Sequence, residues 1–179
     1  MRWIKRYIIL ISFLFISCEI VEPDFNNSLD LDYNNAKGID TPAFVFSPDE
    51  VTVNSGSNVT LNVNALEVTK VAGGHLQIKY DQSKLSVNSV YQGDWLIDAG
   101  QNPVFFYEND PLMGIVNIYY SILGNSEELS GTGAVAFIVF NIFAPGQISV
   151  DLTSTTKIVD KENQEIQLNG LGKALINAQ

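Results

Sequence analysis

The side chains that most often carry out catalysis in proteins are scarce in this chain, which has one His and one Cys among its 179 residues. A hydrolase places its nucleophile, base and acid in a shared pocket, and a zinc site of two or three His needs more than His75 alone. His75 begins the alternating run HLQIKY, where it is predicted to lie on the polar, solvent-facing side of a strand. The sequence therefore predicts a protein that is not an enzyme.

The carboxylates do not form a recognisable acid–base pair or metal loop. Glu127 and Glu128 are adjacent, and neighbouring residues on a strand point apart, so we expect them to solvate a loop rather than to cleave a glycosidic bond. Residues 160–163 carry oxygen donors but lack the glycine and terminal Glu of a calcium loop, and residues 108–110 carry oxygen donors as well. No metal or cofactor is predicted, and structural calcium at these two segments is an open alternative.

The charge balance excludes one class of partner. The chain has 20 acidic residues against 10 basic ones and a formal net charge of −10. Nucleic-acid binding needs a cationic face that neutralises phosphates. The sequence therefore predicts no nucleic-acid partner.

The N-terminus has the pattern of a bacterial lipoprotein signal. Three bases within the first six residues precede an apolar run over residues 7–16, which is shorter than the roughly twenty residues of a membrane-spanning helix. Ser17 and Cys18 follow, in a sequence that resembles the lipobox of bacterial lipoproteins, where the chain is cut before the acylated Cys. We predict a signal peptide over residues 1–17 and lipid attachment at Cys18; a retained anchor or an ordinary secretory peptide is the alternative.

Residues 18–43 are predicted to be an acidic, flexible tether because they show neither strand nor helix periodicity. Glu19, Glu22 and Asp24 lie close to Cys18, as in the surface-export signal of Bacteroidetes-type lipoproteins, although an ordinary acidic linker has the same composition. The predicted location is the bacterial cell envelope, at the outer membrane and exposed at the surface, with the lipid as the membrane attachment.

From residue 44 onward, short runs alternate between apolar and polar residues, and Gly, Asn, Asp and Pro separate them. No stretch keeps a helical period over twelve residues. Residues 44–179 are therefore predicted to form an all-β, antiparallel β-sandwich of about nine strands. The predicted strands cover residues 51–53, 59–63, 75–80, 85–90, 114–123, 134–143 and 148–152, with looser patterns at 166–168 and 173–176.

The order of motifs in this domain resembles a cohesin module, of the carbohydrate-binding-module-like sandwich superfamily. The resemblance covers about residues 44–177, and its most specific part is the series Tyr80-Asp81-x-Ser83-x-Leu85, Gly93-Asp94 and Ser130-Gly131-x-Gly133. It implies a jelly-roll sandwich and a non-catalytic role, in which the module docks a dockerin-bearing partner that is typically an enzyme acting on polysaccharide.

Cohesins bind through one sheet face, which here includes the strand from Gly73 to Asp81. Cellulosomal type I members tend to carry Asn and Asp at the start of that strand, where this chain has Gly73 and His75, so recognition of a cellulosomal dockerin does not follow from the resemblance. The outward positions of this strand and of the run 114–123 form the candidate partner-binding face. Its members are His75, Gln77, Lys79, Asn117, Tyr119 and Ser121.

A glycan-binding lipoprotein of a polysaccharide-uptake system is the alternative function, because exposed aromatic rings stack on sugars. The candidate platform consists of Tyr91, Trp95, Phe106 and Tyr107. Exposure of Trp95 would discriminate between the two hypotheses, since a buried indole cannot contact a sugar.

Overall fold

The computed structural model describes residues 27–98, 103–123 and 128–179, so the predicted signal peptide and Cys18 lie outside the described residues. These residues form two short helices and thirteen strands. The elements are α1 (Leu31–Ala36), β1 (Ala43–Ser47), β2 (Glu50–Val53), β3 (Asn58–Val71), β4 (Gly73–Tyr80), β5 (Leu85–Gln92), α2 (Asp94–Asp98), β6 (Val104–Asp110), β7 (Ile115–Ser121), β8 (Leu129–Ile142), β9 (Gly146–Leu152), β10 (Lys157–Val159), β11 (Glu165–Ile166), β12 (Gly170–Leu171) and β13 (Lys173–Ala178).

The strands form two sheets, as predicted for an all-β sandwich. The first sheet has the order β12-β1-β3-β8-β5. The second has the order β11-β10-β4-β9-β13-β2, and in it β7 also pairs with β4 while β6 pairs with β7. The four strands beyond the nine predicted segments are β1, β6, β10 and β12.

Two of the pairings are parallel, in a sandwich that was predicted to be antiparallel. β1 runs parallel to β12, and β2 runs parallel to β13. Both pairs join the start of the domain to its end. Parallel neighbours need a long connection between them, and nearly the whole domain lies between the members of each pair.

Alternation along the strands produces the core between the sheets. In β3 the side chains of Val59, Leu61 and Val63 are buried while the residues between them are less so. Phe44 and Phe140 are fully buried between the sheets. Burying one such side chain contributes about 1.5–3 kcal/mol to the free energy of folding, so this core positions the outward-facing residues of the second sheet.

Strand β6 was not among the sequence predictions. Its sequence, VFFYEND, has two adjacent aromatic residues followed by residues of low strand propensity. Nearly every β6 residue is exposed, because the strand lies at the side of the second sheet next to β7. Phe105 packs against the core, but a strand with a single partly buried residue leaves no alternating pattern in the sequence.

Part of the segment assigned to the tether is folded against the sandwich. Asp30 caps α1 by accepting a hydrogen bond from the Tyr33 N–H, at 3.0 Å. Lys37 forms an ion pair with Asp49 at 2.6 Å, and Ile39 packs against buried side chains of β1 and β3. We call residues 27–42 the strap; the structured part of the chain therefore begins before residue 44.

No helix among the described residues is both long enough and apolar enough to cross a lipid bilayer.

Candidate functional site

The six residues of the candidate partner-binding face lie on the neighbouring strands β4 and β7. The antiparallel register places His75 opposite Tyr119 and Gln77 opposite Asn117. At the two ends, Gly73 is opposite Ser121 and Lys79 is opposite Ile115. All six side chains are half-buried or exposed, because the alternate residues of these strands fill the core.

Three rings form a row across this face. The imidazole of His75 stacks on the phenol ring of Tyr119, with the centroids 4.6 Å apart and the planes at 8°. On the other side of Tyr119 lies the ring of Phe106, at 4.8 Å and 19°, because β6 pairs with β7 in the register Phe106–Tyr119. We call His75, Tyr119 and Phe106 the aromatic row. Its central ring is covered on both faces, so Tyr119 presents its edge and its hydroxyl outward.

A second row, next to the aromatic one, is made of amides. The Gln77 Nε2 donates to the Asn117 Oδ1 at 3.1 Å, and the His75 Nε2 lies 2.9 Å from the same oxygen. Since that oxygen is an acceptor, the Nε2 atom of His75 carries a proton and donates to it.

The loop between β9 and β10 fixes Gln77 in this row. The Thr153 hydroxyl donates to the Gln77 Oε1 at 2.8 Å, and the Gln77 N–H donates to the hydroxyl of the buried Thr156 at 3.1 Å. The Thr153 N–H also donates to the Gln77 carbonyl, at 2.9 Å. Gln77 is thus held in one orientation before any partner binds, which reduces the entropy lost on binding.

Charged side chains surround the two rows. Lys157 of β10 is opposite His75, and it forms an exposed ion pair with Glu165 at 3.1 Å. Glu108 of β6 is opposite Asn117, at the other side of the face. Lys79 is exposed and lies opposite Asp151 of β9. The centre of the face is therefore aromatic and amide in character, with both signs of charge at its rim.

The far end of β6 is joined to the core through Tyr80. Its hydroxyl donates to the Asn109 Oδ1 at 2.9 Å, and its ring packs against Phe140 with 5.5 Å between centroids. Burial raises the pKa of the Tyr80 phenol, and the negative charge of Asp110 raises it further. The neutral hydroxyl therefore stays available as a donor to β6.

The four candidate glycan-platform residues do not lie on one face. Tyr91 is on β5 in the first sheet, opposite Phe137, and it is 58% exposed. Trp95 is half-buried in α2, beside the backbone of Gly133. Phe106 and Tyr107 are consecutive in β6, so their side chains point to opposite sides of the second sheet.

The oxygen donors considered for calcium have local partners. The Asp160 Oδ1 accepts from the Gln164 N–H at 2.8 Å, and the Asp110 Oδ1 accepts from the N–H groups of Leu112 and Met113. Among the described residues, no group of three or more His, Cys, Asp or Glu could hold a metal ion. Glu127 lies outside the described residues, and Glu128 accepts from the Lys161 N–H at 3.1 Å.

Sequence comparison identifies the family. A sequence profile of the cohesin domain matches residues 44–171, which span the sandwich from β1 to β12. The chain belongs to the cohesin family. No curated protein sequence matches this cohesin.

Solved cohesin structures share its fold. A non-cellulosomal cohesin from the archaeon Archaeoglobus fulgidus is 17% identical with a TM-score of 0.63, and the match covers 76% of this chain and 90% of that one. A type II cohesin domain from the cellulosome of Acetivibrio cellulolyticus is 23% identical with a TM-score of 0.60, and the match covers 75% of this chain and 93% of that one. The third cohesin of ScaC from the same organism, solved in complex with the ScaB dockerin, is 17% identical with a TM-score of 0.64, covering 76% and 97%.

Phe106 is the member of the aromatic row that the sequence did not assign to this face. It was assigned to the glycan platform because β6 was not recognised as a strand. The signal that could have found it is the turn Asp110-Pro111 before β7, since a short turn between two extended segments predicts a hairpin.

Proposed function

We propose that this cohesin is a non-catalytic docking module, which binds a dockerin-bearing protein through the outward face of β4, β7 and β6. The aromatic row carries the proposal: three rings from three adjacent strands are stacked at 4.6 and 4.8 Å. Aromatic side chains held rigidly at the centre of a surface are the typical anchors of protein interfaces. The third cohesin of ScaC, whose fold is similar, was solved in a complex of this kind with the ScaB dockerin.

The rows also indicate what the partner presents to this face. The Nδ1 of His75 and the hydroxyl of Tyr119 accept or donate hydrogen bonds, while the ring edges between them are apolar. A partner helix or strand with alternating apolar and amide or hydroxyl side chains would complement both rows. Charges on the partner would contact the rim, at Lys79, Lys157 and Glu108, where they affect association rate more than affinity.

We further propose that the partner of the module is an enzyme acting on polysaccharide. We also propose that lipid attached to Cys18 anchors the module at the bacterial cell envelope. The support for the anchor is the basic and apolar sequence before the single Cys. Incorporation of labelled palmitate by the wild-type chain, and its loss in Cys18→Ser, is the expected result. Equal labelling of both chains would contradict lipid attachment at Cys18.

The docking role is tested by capture with individual dockerin modules from the same genome, each immobilised separately. We expect the wild type to be retained by at least one module, and the double variant Gln77→Ala/Tyr119→Ala to lose this retention. Tyr91→Ala is the matched control, because Tyr91 is exposed on the opposite sheet. Capture that survives the double variant, or no capture by any module, would contradict the proposal. Glycan-array binding by a chain that no dockerin retains would favour the glycan alternative.

A further inference from the structure

The edge of strand β6 that faces away from β7 is open among the described residues. In the part of the chain that the structure describes, β6 pairs with β7 and with no other strand. Three of its residues expose large apolar side chains: Val104 at 45%, Phe106 at 50% and Tyr107 at 41%. An open edge of this kind, seven residues long and without proline inside it, is a template for another strand.

The hydrogen bonds between β4 and β7 show which backbone groups of β7 face β6, and hence which backbone groups of β6 face the open edge. The Ile122 N–H donates to the Ala72 carbonyl, and the Tyr80 N–H donates to the Gly114 carbonyl. Even-numbered residues of β4 and β7 therefore direct their backbone groups toward each other, and odd-numbered residues of β7 direct theirs toward β6.

Tyr119 thus forms a hydrogen-bonded pair with Phe106, and the backbone of Phe106 faces β7. The N–H and C=O groups of Phe105, Tyr107 and Asn109, which alternate with it, face the open edge.

The aromatic row ends at this edge. Tyr119 covers one side of the Phe106 ring, and the other side faces away from β7 along the direction in which another strand would add. Its 50% exposure is consistent with an uncovered ring face. A strand paired to β6 would place a side chain opposite Phe106 at a spacing of about 5 Å.

We infer that the strand that adds to β6 is β6 of a second copy of this chain, antiparallel and centred on Phe106. In this register Phe105 of each copy is opposite Tyr107 of the other. These are two hydrogen-bonded pairs, because both residues direct their N–H and C=O groups to the edge. The two Phe106 residues form the non-hydrogen-bonded pair between them, where side chains lie closest, so the two aromatic rows join into one.

Charge and the aromatic row disfavour the two registers that are shifted toward the acidic end of β6. Centring the pair on Phe106 places Glu108 opposite Val104 of the other copy. Centring it on Glu108 would place two carboxylates directly opposite each other, which is destabilising. Centring it on Tyr107 would place Glu108 opposite Phe106 and interrupt the aromatic row.

The dimer does not rest on the docking function, because it uses the edge of the second sheet and its test involves no dockerin. Its consequence is a single sheet, continuous across two copies, that presents two docking faces side by side. If both faces bind partners, the second binding event on a partner with two docking modules occurs at a raised effective concentration.

Sedimentation equilibrium of the full-length chain in detergent, over a range of protein concentrations, tests the dimer. We expect a monomer–dimer equilibrium for the wild type. Tyr107→Pro removes an N–H that faces the open edge and none that faces β7, so we expect it to weaken the dimer by about tenfold or more. Tyr107→Ala keeps that N–H and serves as the matched control, with a smaller effect. A wild-type monomer at all concentrations, or a dimer that Tyr107→Pro leaves unchanged, would overturn the inference.

Disulfide cross-linking tests the register. Val104→Cys/Glu108→Cys places cysteines opposite each other across the proposed pair, whereas the two positions within one chain are about 13 Å apart and cannot bridge. We expect cross-linked dimers from this variant and only background from Val104→Cys/Asp110→Cys, which matches the register centred on Tyr107. The wild type measures the background from Cys18. Preferential cross-linking of the second variant, or of neither, would overturn the register.

Discussion

The imidazole ring of His75 lies parallel to the phenol ring of Tyr119, with 4.6 Å between their centroids. The two residues are opposite each other on β4 and β7. They are 44 positions apart in the sequence, and the stack exists because the antiparallel register places them together. Stacked pairs contribute about 0.5–1.5 kcal/mol beyond the area that they bury.

A double-mutant cycle should detect this stack. We expect His75→Ala and Tyr119→Ala to show a coupling of about 0.5–1.5 kcal/mol in the free energy of unfolding, measured with urea. The cycle of His75→Ala with Tyr91→Ala is the control, because these side chains belong to different sheets. A coupling for the stacked pair no larger than that of the control would show that the contact is energetically neutral.

Gly93 should not tolerate a side chain. A Cβ at this position would lie 2.1 Å from the backbone oxygen of Ala134, and backbone cannot move aside as a side chain can. We expect Gly93→Ala to lower the free energy of unfolding by about 3 kcal/mol or more, or to prevent folding. Gly131→Ala meets no atom within 4 Å and costs only the strain of its φ of +105°, about 1–2 kcal/mol. Urea unfolding measures the free energy of unfolding of both variants. An equal decrease in the two variants would contradict the steric explanation.

Asp81 should make the free energy of unfolding fall as the solution becomes acidic. Hydrogen bonds from the Ser83 hydroxyl, at 2.6 Å, and from the Ser83 N–H, at 2.9 Å, lower the pKa of the Asp81 carboxyl. A lowered pKa in the folded state stabilises the protein above the unfolded value, near 3.8, and this stabilisation is lost as the pH falls through the folded value.

We therefore expect the free energy of unfolding of the wild type to fall between about pH 5 and pH 2 more steeply than that of Asp81→Asn. Ser83→Ala removes one of the two donors and should give an intermediate slope. Urea unfolding at a series of pH values measures these slopes. Identical slopes for the wild type and Asp81→Asn would show that Asp81 does not contribute to the pH dependence of stability.

The ion pair between Lys37 and Asp49 should hold the strap on the sandwich. Burial lowers the pKa of Lys37, but the hydrogen bonds to Asp49 and Tyr33 outweigh it, so the pKa is raised overall. We expect Asp49→Asn to speed hydrogen exchange at the amides of α1, measured by mass spectrometry, with a loss of about 1 kcal/mol or less in global stability.

The strap also gives a pH expectation and a control. Because the pKa of Lys37 is raised, its stabilising contribution is present below the unfolded value of 10.5 and is lost as the pH rises through the folded value. Glu165→Gln breaks the exposed pair with Lys157 and leaves the strap untouched, so exchange in α1 should stay at the wild-type rate. Faster exchange in that variant would mean that the effect is not local.

The sequence by itself determined the strands whose residues alternate strictly. In HLQIKY, every second residue is apolar, so Leu76 and Ile78 were predicted to be buried and His75 and Gln77 to face outward. Alternation is local information, because two consecutive side chains on a strand point to opposite faces whichever strand pairs with it. The turn at Asp81 and Ser83 is local for the same reason, since its hydrogen bonds span two residues.

Only the tertiary structure decided which outward residues meet. The contact of Phe106 with Tyr119 requires β6, which is exposed apart from the partly buried Phe105 and therefore leaves no periodic pattern in the sequence. Thr153 reaches Gln77 from 76 residues away, and Tyr91 is separated from Phe106 because their strands belong to different sheets. Pairing between distant strands depends on hydrogen bonds and packing across the whole sandwich, and a single strand's sequence does not encode its neighbour.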